Sequence, residues 1–141
     1  MRFWDSSALV PLLVAQASSA RVLGLHRNDS DVIAWWGSKV ECDSAVARLE
    51  REKELTPKSA GEALKRLDAL SESWQEIQPV DVLRDSARRL LRTHDLRAAD
   101  AIQLAAALLA CEGRPGTLEI VCLDQRLRLA AEREGFVVLG P

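Results

Sequence analysis

The sequence predicts an α/β protein in which helices flank a central, mainly parallel sheet of about five strands. Short apolar segments of strand length alternate with longer helical segments, which is the pattern of strands joined by helical crossovers. Residues 32–36 and 120–123 are apolar throughout, as in strands buried on both faces. The 141 residues show no linker or internal repeat, so we expect a single domain over 1–141.

The N-terminal half is predicted to hold two strands and four helices. Phe3 and Trp4 favour a strand at the start of the chain, and the apolar run 32–36 is the second strand. Thr56 and Pro57 are suited to the cap and first position of a long helix, which we expect to pack against the preceding one as a hairpin. The predicted helices in this half are 6–16, 19–26, 38–54 and 57–74.

The C-terminal half continues the alternation of strands and helices. Pro79 indicates the end or edge of a short strand, Asp81 is expected to cap the next helix, and Gly135 to terminate the last one. From Ala101 onward one helix is apolar almost all round, which predicts a central, buried position. The predicted strands are 76–80, 118–124 and 136–139, and the predicted helices are 81–94, one that runs to about 109, and 125–134.

Composition narrows the class of protein. The net charge of −2 argues against non-specific coating of nucleic acid, although basic residues concentrate in 48–53, 58–66 and 84–92. The three cysteines lie in apolar stretches, where a buried thiol is common, so neither a disulfide framework nor a zinc site is predicted. The apolar run 104–111 is too short to span a bilayer, and an acid at position 5 argues against a secretory signal. We therefore expect a cytoplasmic protein with no membrane segment.

Four acids occupy comparable positions in the predicted fold. Asp5 and Asp124 end strands, whereas Glu41 and Asp100 lie in the first turns of helices. Each has a structural alternative, which is an N-cap for Asp5, a capping box with Ser38 for Glu41, and the helix dipole for Asp100. Because parallel strands place their carboxyl ends at one edge of the sheet, we expect all four acids to share that edge.

Such a cluster of carboxylates predicts a metal site. Like charges a few ångströms apart repel one another unless a cation joins them, and Mg²⁺ or Mn²⁺ prefers oxygen ligands. A metal held in this way suits phosphodiester hydrolysis, because it activates a water and offsets the charge that develops on the phosphate. His26 and His94 are too few and poorly placed for a histidine-rich metal site or an obvious Ser-His-Asp triad, and no glycine-rich phosphate loop is present.

The same segments carry a resemblance to a known family. They are Asp-Ser-Ser-Ala-Leu at 5–9, the inward Glu41, Arg-Ala-Ala-Asp-Ala-Ile-Gln-Leu-Ala at 97–105, and Leu-Asp-Gln-Arg-Leu at 123–127 with Ala-Ala and Glu-Gly further on. In order and spacing along essentially the whole chain, they resemble a PIN-domain ribonuclease of the VapC toxin type. Each motif is weak alone, and the combination is fairly specific.

The resemblance implies a PIN-like α/β/α sandwich and an endoribonuclease that depends on Mg²⁺ or Mn²⁺. By position, Asp5, Glu41, Asp100 and Asp124 would be its metal-binding and catalytic acids. Ser7 would orient a carboxylate or water, with Ser6 as its rival, and Arg97 would contact phosphate or pair with an acid. Relatives often carry His at the position of Gln103, which leaves the role of that side chain open. The residues to which the resemblance assigns a role are Asp5, Ser6, Ser7, Glu41, Arg97, Asp100 and Asp124.

The resemblance also implies protein partners. Toxins of this type are encoded beside an antitoxin, whose extended tail fills the groove and brings a basic side chain to the carboxylates. They tend to form homodimers, for which Trp35, Trp36 and the 38–74 hairpin offer apolar surface.

Other classes fit the residues less well. A phosphoaspartyl hydrolase of the haloacid-dehalogenase type needs a second Asp two residues after the first, where this chain has Ser7. A receiver domain expects adjacent acids after an early strand and a later Lys, which are not suitably placed here. A PIN-like scaffold that binds RNA or protein without cleaving it, and a metal-dependent DNA nuclease, stay open as alternatives.

Overall fold

The computed structural model describes residues 1–140, which form a five-stranded parallel sheet with helices on both faces. The strands stand in the order β3-β2-β1-β4-β5, and every neighbouring pair is parallel. The predicted α/β architecture is therefore confirmed. The strands are β1 (Arg2–Trp4), β2 (Val32–Trp35), β3 (Gln75–Ile77), β4 (Glu119–Val121) and β5 (Val137–Leu139). The helices are α1 (Ser6–Leu13), α2 (Ser19–Asn28), α3 (Ser38–Arg51), α4 (Pro57–Ser73), α5 (Asp81–Thr93), α6 (Ala98–Ala110) and α7 (Gln125–Arg133), with a 3₁₀ turn at Pro115–Thr117.

The first strand lies at the centre of the sheet and organises the rest. Strand β1 pairs with β2 on one side and with β4 on the other, so the strand order reverses direction at β1. The backbone N–H of Asp5 donates to the carbonyl of Val121 at 3.0 Å and ties the ends of β1 and β4 together. In open parallel sheets, the crevice at such a reversal is where ligands bind.

The core has one half on each face of the sheet. On one face, Phe3, Ile33 and Ile120 pack under α5, α6 and α7, and Leu104 of α6 is 1% exposed. On the other face, Trp4 packs with side chains from α1, α3 and α4. The predicted buried position of α6 is confirmed, and α3 and α4 pack against each other as the expected hairpin. Over residues 1–140, no helix is both long and apolar enough to cross a membrane.

Several predicted boundaries and caps are confirmed. The Thr56 side chain accepts from the backbone N–H of Ser59 at 3.1 Å, with Pro57 as the first helical residue. Gly135 has a φ of +102°, the left-handed conformation that ends α7. The cysteines Cys42, Cys111 and Cys122 are all buried and free.

Other boundaries were predicted wrongly. Helix α1 ends at Leu13 rather than near residue 16, because the Ser19 hydroxyl donates to carbonyls at the end of this helix and holds a turn there. Strand β3 ends at Ile77, before Pro79, and is shorter than the predicted 76–80. Asp81 does not cap α5, since its carboxylate pairs with Arg84 at 3.0 Å on the surface and Val80 occupies the cap position.

The two tryptophans at the end of β2 differ in their exposure to solvent. Trp35 is partly buried against the core beneath α5 and α6, whereas Trp36 is 53% exposed. Their rings meet edge to face with centroids 6.1 Å apart. Trp36 therefore offers more exposed apolar surface than Trp35, and a role of the pair in dimer formation stays a prediction.

Candidate active site at the carboxyl edge of the sheet

All four candidate acids line one cavity of about 290 Å³ at the carboxyl edge of the sheet. Asp5 follows β1, Glu41 lies in the first turn of α3, Asp100 in the first turn of α6, and Asp124 precedes α7. The predicted convergence of these residues is thus seen in the fold. The other side chains that line this acid cavity are Ser6, Ser7, Val10, Gln16, Ala45, Arg48 and Gln103.

Asp5 is the buried member of the group, with 4% of its surface exposed. Its Oδ2 accepts from the backbone N–H of Ser7 at 3.1 Å and from the Ser7 hydroxyl, so it also serves as the N-cap of α1. Burial raises the pKa of the Asp5 carboxyl; the Ser7 bonds oppose that shift, and the charges of Asp100 and Asp124 add to it. Asp5 therefore has both of the expected features: it caps helix α1, and it faces the other acids of the cavity.

Ser7 holds the Asp5 carboxylate in place. Its hydroxyl donates to Asp5 and accepts from the backbone N–H of Leu123 at 2.9 Å, which links α1 to the loop after β4. Ser6 lies nearer to Glu41, since a hydrogen bond between Ser6 and Glu41 lowers the pKa of that acid. The two serines thus serve different carboxylates in this cavity.

Glu41 does not form the capping box with Ser38 that its spacing allowed. Gly37 occupies the cap position of α3 with no side-chain bond to the helix end. The amide Nε2 of Gln103 instead donates to the Glu41 carboxylate and, at 3.0 Å, to the Ser38 hydroxyl. Burial raises the pKa of the Glu41 carboxyl, while the bond from Gln103 lowers it and the charge of Asp5 raises it further. The inward-facing Glu41 carboxylate on α3 is therefore bound by a side chain from α6.

Asp100 and Asp124 lie nearer the solvent. Asp100 is half-buried and accepts from the backbone N–H of Arg97 at 3.3 Å, and Asp124 is exposed and accepts from that of Leu127 at 2.8 Å. Desolvation raises the pKa of the Asp100 carboxyl, as does the nearby charge of Asp124, whereas Arg97 and Arg126 lower it. Both acids thus cap the first turn of their helices while facing the cavity.

The exposed Arg97 approaches the site from its rim. Its side chain does not line the acid cavity, and its observed contact is the backbone bond to Asp100. Its guanidinium charge is one of the influences that lower the pKa of Asp100. Contact with a phosphate stays a prediction for this residue.

The chemistry of these side chains fits a hard divalent cation. Carboxylate oxygens are the ligands that Mg²⁺ and Mn²⁺ prefer. Burial raises the pKa values of Asp5, Glu41 and Asp100, and the charges of neighbouring acids add to the rise, which a bound cation would offset. As the side chains stand in residues 1–140, no three Asp, Glu, His or Cys are grouped closely enough to make a formed metal site. Oxygen-donor chemistry and charge support metal binding here.

Three polar side chains of the cavity had no predicted role. Arg48 lies seven residues after Glu41, so helical spacing places it on the same stripe as Glu41 and Ala45. Gln103 lies three residues after Asp100 on α6, and this spacing could have indicated a shared face. Nothing in the local sequence pattern marks Gln16, which reaches the cavity from the turn after α1.

Comparison with known proteins finds relatives in sequence and similar folds. No family model matches the chain. Ribonuclease VapC45 of Mycobacterium tuberculosis is 29% identical in an alignment of 136 residues that covers 94% of this chain and 90% of that relative. The structure of VapC20 from the same species, a toxin that cleaves the sarcin-ricin loop, matches with a TM-score of 0.68, 20% identity and full coverage of both chains. A toxin–antitoxin complex from Klebsiella pneumoniae matches with a TM-score of 0.64 and 13% identity over 89% of this chain and 88% of that one.

The fold defines a PIN-like α/β/α protein with an acidic carboxyl edge. The similarity in sequence to a VapC ribonuclease extends over nearly the whole chain. The resemblance to PIN-domain, VapC-type toxins is thereby confirmed.

Proposed function

We propose that the chain is a metal-dependent endoribonuclease that acts as the toxin of a type II toxin–antitoxin pair. The observation that carries this proposal is the convergence of Asp5, Glu41, Asp100 and Asp124 on one cavity, although each comes from a different element of the fold. RNA as substrate is supported by the relatives, which are ribonucleases by name.

The four acids are the proposed ligands of Mg²⁺ or Mn²⁺. When bound, the metal activates water for attack on phosphorus and offsets the negative charge that develops on the phosphate. Ser7 keeps the Asp5 carboxylate turned toward the cavity, and Gln103 does the same for Glu41. Both supports come from rigid elements, so the acids are held in place before substrate arrives.

Water is the proposed nucleophile because the nearby thiol is unsuited to attack. Cys122 lies with its Sγ 3.7 Å from Oδ2 of Asp5. Burial raises the pKa of the Cys122 thiol strongly, and the charge of Asp5 adds to that rise. The thiol therefore stays protonated at neutral pH, and hydrolysis at this site needs no side-chain nucleophile.

An antitoxin protein is the proposed partner, and a homodimer the proposed assembly. The similarity to the toxin–antitoxin complex of K. pneumoniae supports the first, and the resemblance to VapC-type toxins supports both. An antitoxin that brings a basic side chain to the acid cavity would find four carboxylates there. We place this activity in the cytoplasm, where its RNA substrate is found.

The nuclease is tested by cleavage of purified total RNA, with single-stranded DNA as a second substrate. Wild-type protein, Asp5→Asn and Asp43→Asn are each assayed with Mn²⁺, Mg²⁺ or EDTA. Asp43 is the matched control, because it is an exposed acid of α3 outside the acid cavity. We expect wild type and Asp43→Asn to cut RNA only with metal, and Asp5→Asn to be inactive.

Different outcomes would point to the other classes. Equal cleavage by Asp5→Asn and wild type would contradict the four-acid site. Cleavage of DNA alone would make the protein a DNA nuclease, and no cleavage by folded, partner-free protein under any metal condition would favour the binding scaffold. The antitoxin is tested by co-expression with the adjacent small gene, and repeated failure of the two proteins to co-purify would contradict that partner.

A further inference from the structure

A second cavity, of about 340 Å³, lies between α5 and α6. Its walls are almost entirely apolar, and the Trp35 ring at the end of β2 forms one side of it. Two arginines, Arg84 and Arg88, stand among the residues that line it. The apolar walls are Pro79, Val80, Leu83, Ala87, Leu91, Ala98 and Ile102.

This apolar cavity adjoins the acid cavity through the start of α6. Ala98 and Ile102, four residues apart, line the apolar cavity, whereas Asp100 and Gln103 of the same turns line the acid cavity. At 100° per residue, Ile102 and Gln103 lie on neighbouring faces of the helix. A chain that lies over the carboxyl edge of the sheet therefore meets both cavities within one helix diameter, about 10 Å.

The aromatic wall is held in a fixed orientation. A Cβ built on Gly37 would fall 2.3 Å from Nε1 of Trp35, so the indole ring lies directly against the backbone at the start of α3. Trp35 also packs on the core, together with Ile102. A rigid aromatic face beside apolar walls offers a stacking surface with little entropy to lose on binding.

The rim of this cavity carries two arginines and one acid, Asp81, so one positive charge has no ion-pair partner in the described part of the chain. Arg84 pairs with Asp81 at 3.0 Å, whereas the guanidinium of Arg88 makes no hydrogen bond or ion pair with any residue in 1–140. An exposed guanidinium beside an aromatic pocket is complementary to a phosphate that is linked to a stacked base.

We propose that the apolar cavity binds one unpaired nucleobase of single-stranded RNA, next to the phosphodiester at the acid cavity. The base stacks on Trp35, the walls from α5 and α6 exclude water from its faces, and Arg88 contacts an adjacent phosphate. The inference rests on the proposed function for its choice of RNA, and it adds a subsite that selects unpaired over double-stranded substrate.

The test is the binding of a fluorescein-labelled, single-stranded RNA decanucleotide of mixed sequence, measured by fluorescence anisotropy. EDTA is present to prevent cleavage. A duplex of the same length is the second probe. We expect Trp35→Leu to weaken binding of the single strand by about tenfold, the usual scale for one lost stacking contact, with no change for the duplex. Leu64→Ala is the control, because Leu64 is an exposed apolar side chain of α4 that lines neither cavity, and it should leave the affinity unchanged.

Arg88→Gln keeps the test decisive if Trp35→Leu does not fold, because Arg88 is exposed. We expect its binding to depend less on salt, with a slope of log affinity against log salt smaller by about 0.7. Lys65→Gln is its control, since Lys65 is an exposed cation on α4, across the sheet from α5. An unchanged slope in Arg88→Gln, or unchanged affinity in a folded Trp35→Leu, would overturn the proposal.

Two further outcomes separate this subsite from its alternatives. If Leu91→Asp converts a wild-type dimer into a monomer in sedimentation, the cavity is a contact between two copies of the chain and the proposal is wrong. If Trp35→Leu loses RNA affinity while wild type shows no metal-dependent cleavage, the subsite stands and the nuclease fails. If wild type cleaves RNA but the RNA affinity of Trp35→Leu is unchanged, the nuclease stands and the subsite fails.

Discussion

The side-chain amide of Gln103 donates to the Glu41 carboxylate and so joins α6 to α3 across the acid cavity. Gln103 is 1% exposed, and its Nε2 also reaches the Ser38 hydroxyl at 3.0 Å. Its Oε1 is buried without a hydrogen-bond partner in residues 1–140. The helix that carries Asp100 therefore also sets the position of Glu41.

Replacement of Gln103 by Leu should weaken metal binding by about 10- to 100-fold, the range seen when a residue that orients a ligand is lost. Glu41 would stay half-buried but lose the donor from Gln103 and keep only the bond with Ser6, so the pKa of its carboxyl would rise further. The measurement is Mn²⁺ affinity by titration, with unfolding in urea to show that the variant folds. Gln125→Leu, on the exposed start of α7, is the control. Wild-type Mn²⁺ affinity in a folded Gln103→Leu would contradict this role.

Asp5→Asn should be more stable than wild type at pH 7.5 in EDTA. The folded-state pKa of Asp5 is raised, so its contribution to stability is fully present below the unfolded pKa of about 3.9 and is lost as pH rises through the folded value. Asn carries no charge at any pH and can still accept from the Ser7 N–H. The difference in melting temperature should therefore vanish near pH 3.5.

Thermal unfolding from pH 3.5 to 8 with no metal present measures this difference. Asp43→Asn, which removes an exposed charge from α3, is expected to show no such trend. A lower melting temperature for Asp5→Asn at pH 7.5 would show that the Asp5 carboxylate is stabilised by its surroundings, contrary to the burial and like charges around it.

Ser7→Ala should destabilise the fold by about 1–3 kcal/mol, the cost of leaving a partly buried polar group without its partner. The Leu123 N–H would lose its acceptor, and Asp5 would lose a donor. Ser6→Ala is the matched variant on the same turn, and we expect a smaller loss of about 0.5–1.5 kcal/mol, because it removes one hydrogen bond to Glu41 and leaves no backbone N–H without a partner. Urea unfolding of both variants at pH 7.5 measures the difference, and equal losses would show that Ser7 has no special structural role.

Gly37→Ala should destabilise the protein by about 1–3 kcal/mol through overpacking. The new methyl group would fall 2.3 Å from Nε1 of Trp35, so the ring or the start of α3 must shift. Gly61 in α4 has no atom within 4 Å of its own Cβ position, so Gly61→Ala should instead stabilise by about 0.5–1 kcal/mol. Denaturant midpoints give both changes, and a stabilised Gly37→Ala would mean that the ring is free to move.

The topology and the acids could be predicted from local pattern. Apolar runs predicted β2 and β4, and the parallel sheet that they imply brings the chain after each strand to one edge. That rule alone was enough to place Asp5 and Asp124 together. The short strand β3 was less well defined, because its three residues are exposed or only partly buried and so lack a strong apolar signal.

The contacts between helices could not be predicted from the periodic apolar pattern of each helix. The bond from Gln103 to Glu41 depends on how α6 crosses the end of α3, and the apolar cavity depends on the gap between α5 and α6. Local pattern fixes which face of a helix is apolar, whereas the crossing of two helices is set by how their side chains interlock. Ser38 illustrates the difference. Its spacing to Glu41 suggested a capping box, whereas in the fold its hydroxyl accepts a hydrogen bond from Nε2 of Gln103.

Equilibrium binding of Mn²⁺ tests most directly whether the four carboxylates form one metal-binding centre. Free Mn²⁺ is measured by electron paramagnetic resonance during titration of wild type, Asp5→Asn, Asp100→Asn and the control Asp43→Asn. We expect wild type and Asp43→Asn to bind Mn²⁺ alike, and the two cavity variants to bind it about tenfold or more weakly. Wild-type affinity in both Asp5→Asn and Asp100→Asn, or no binding by wild type at millimolar Mn²⁺, would contradict the account.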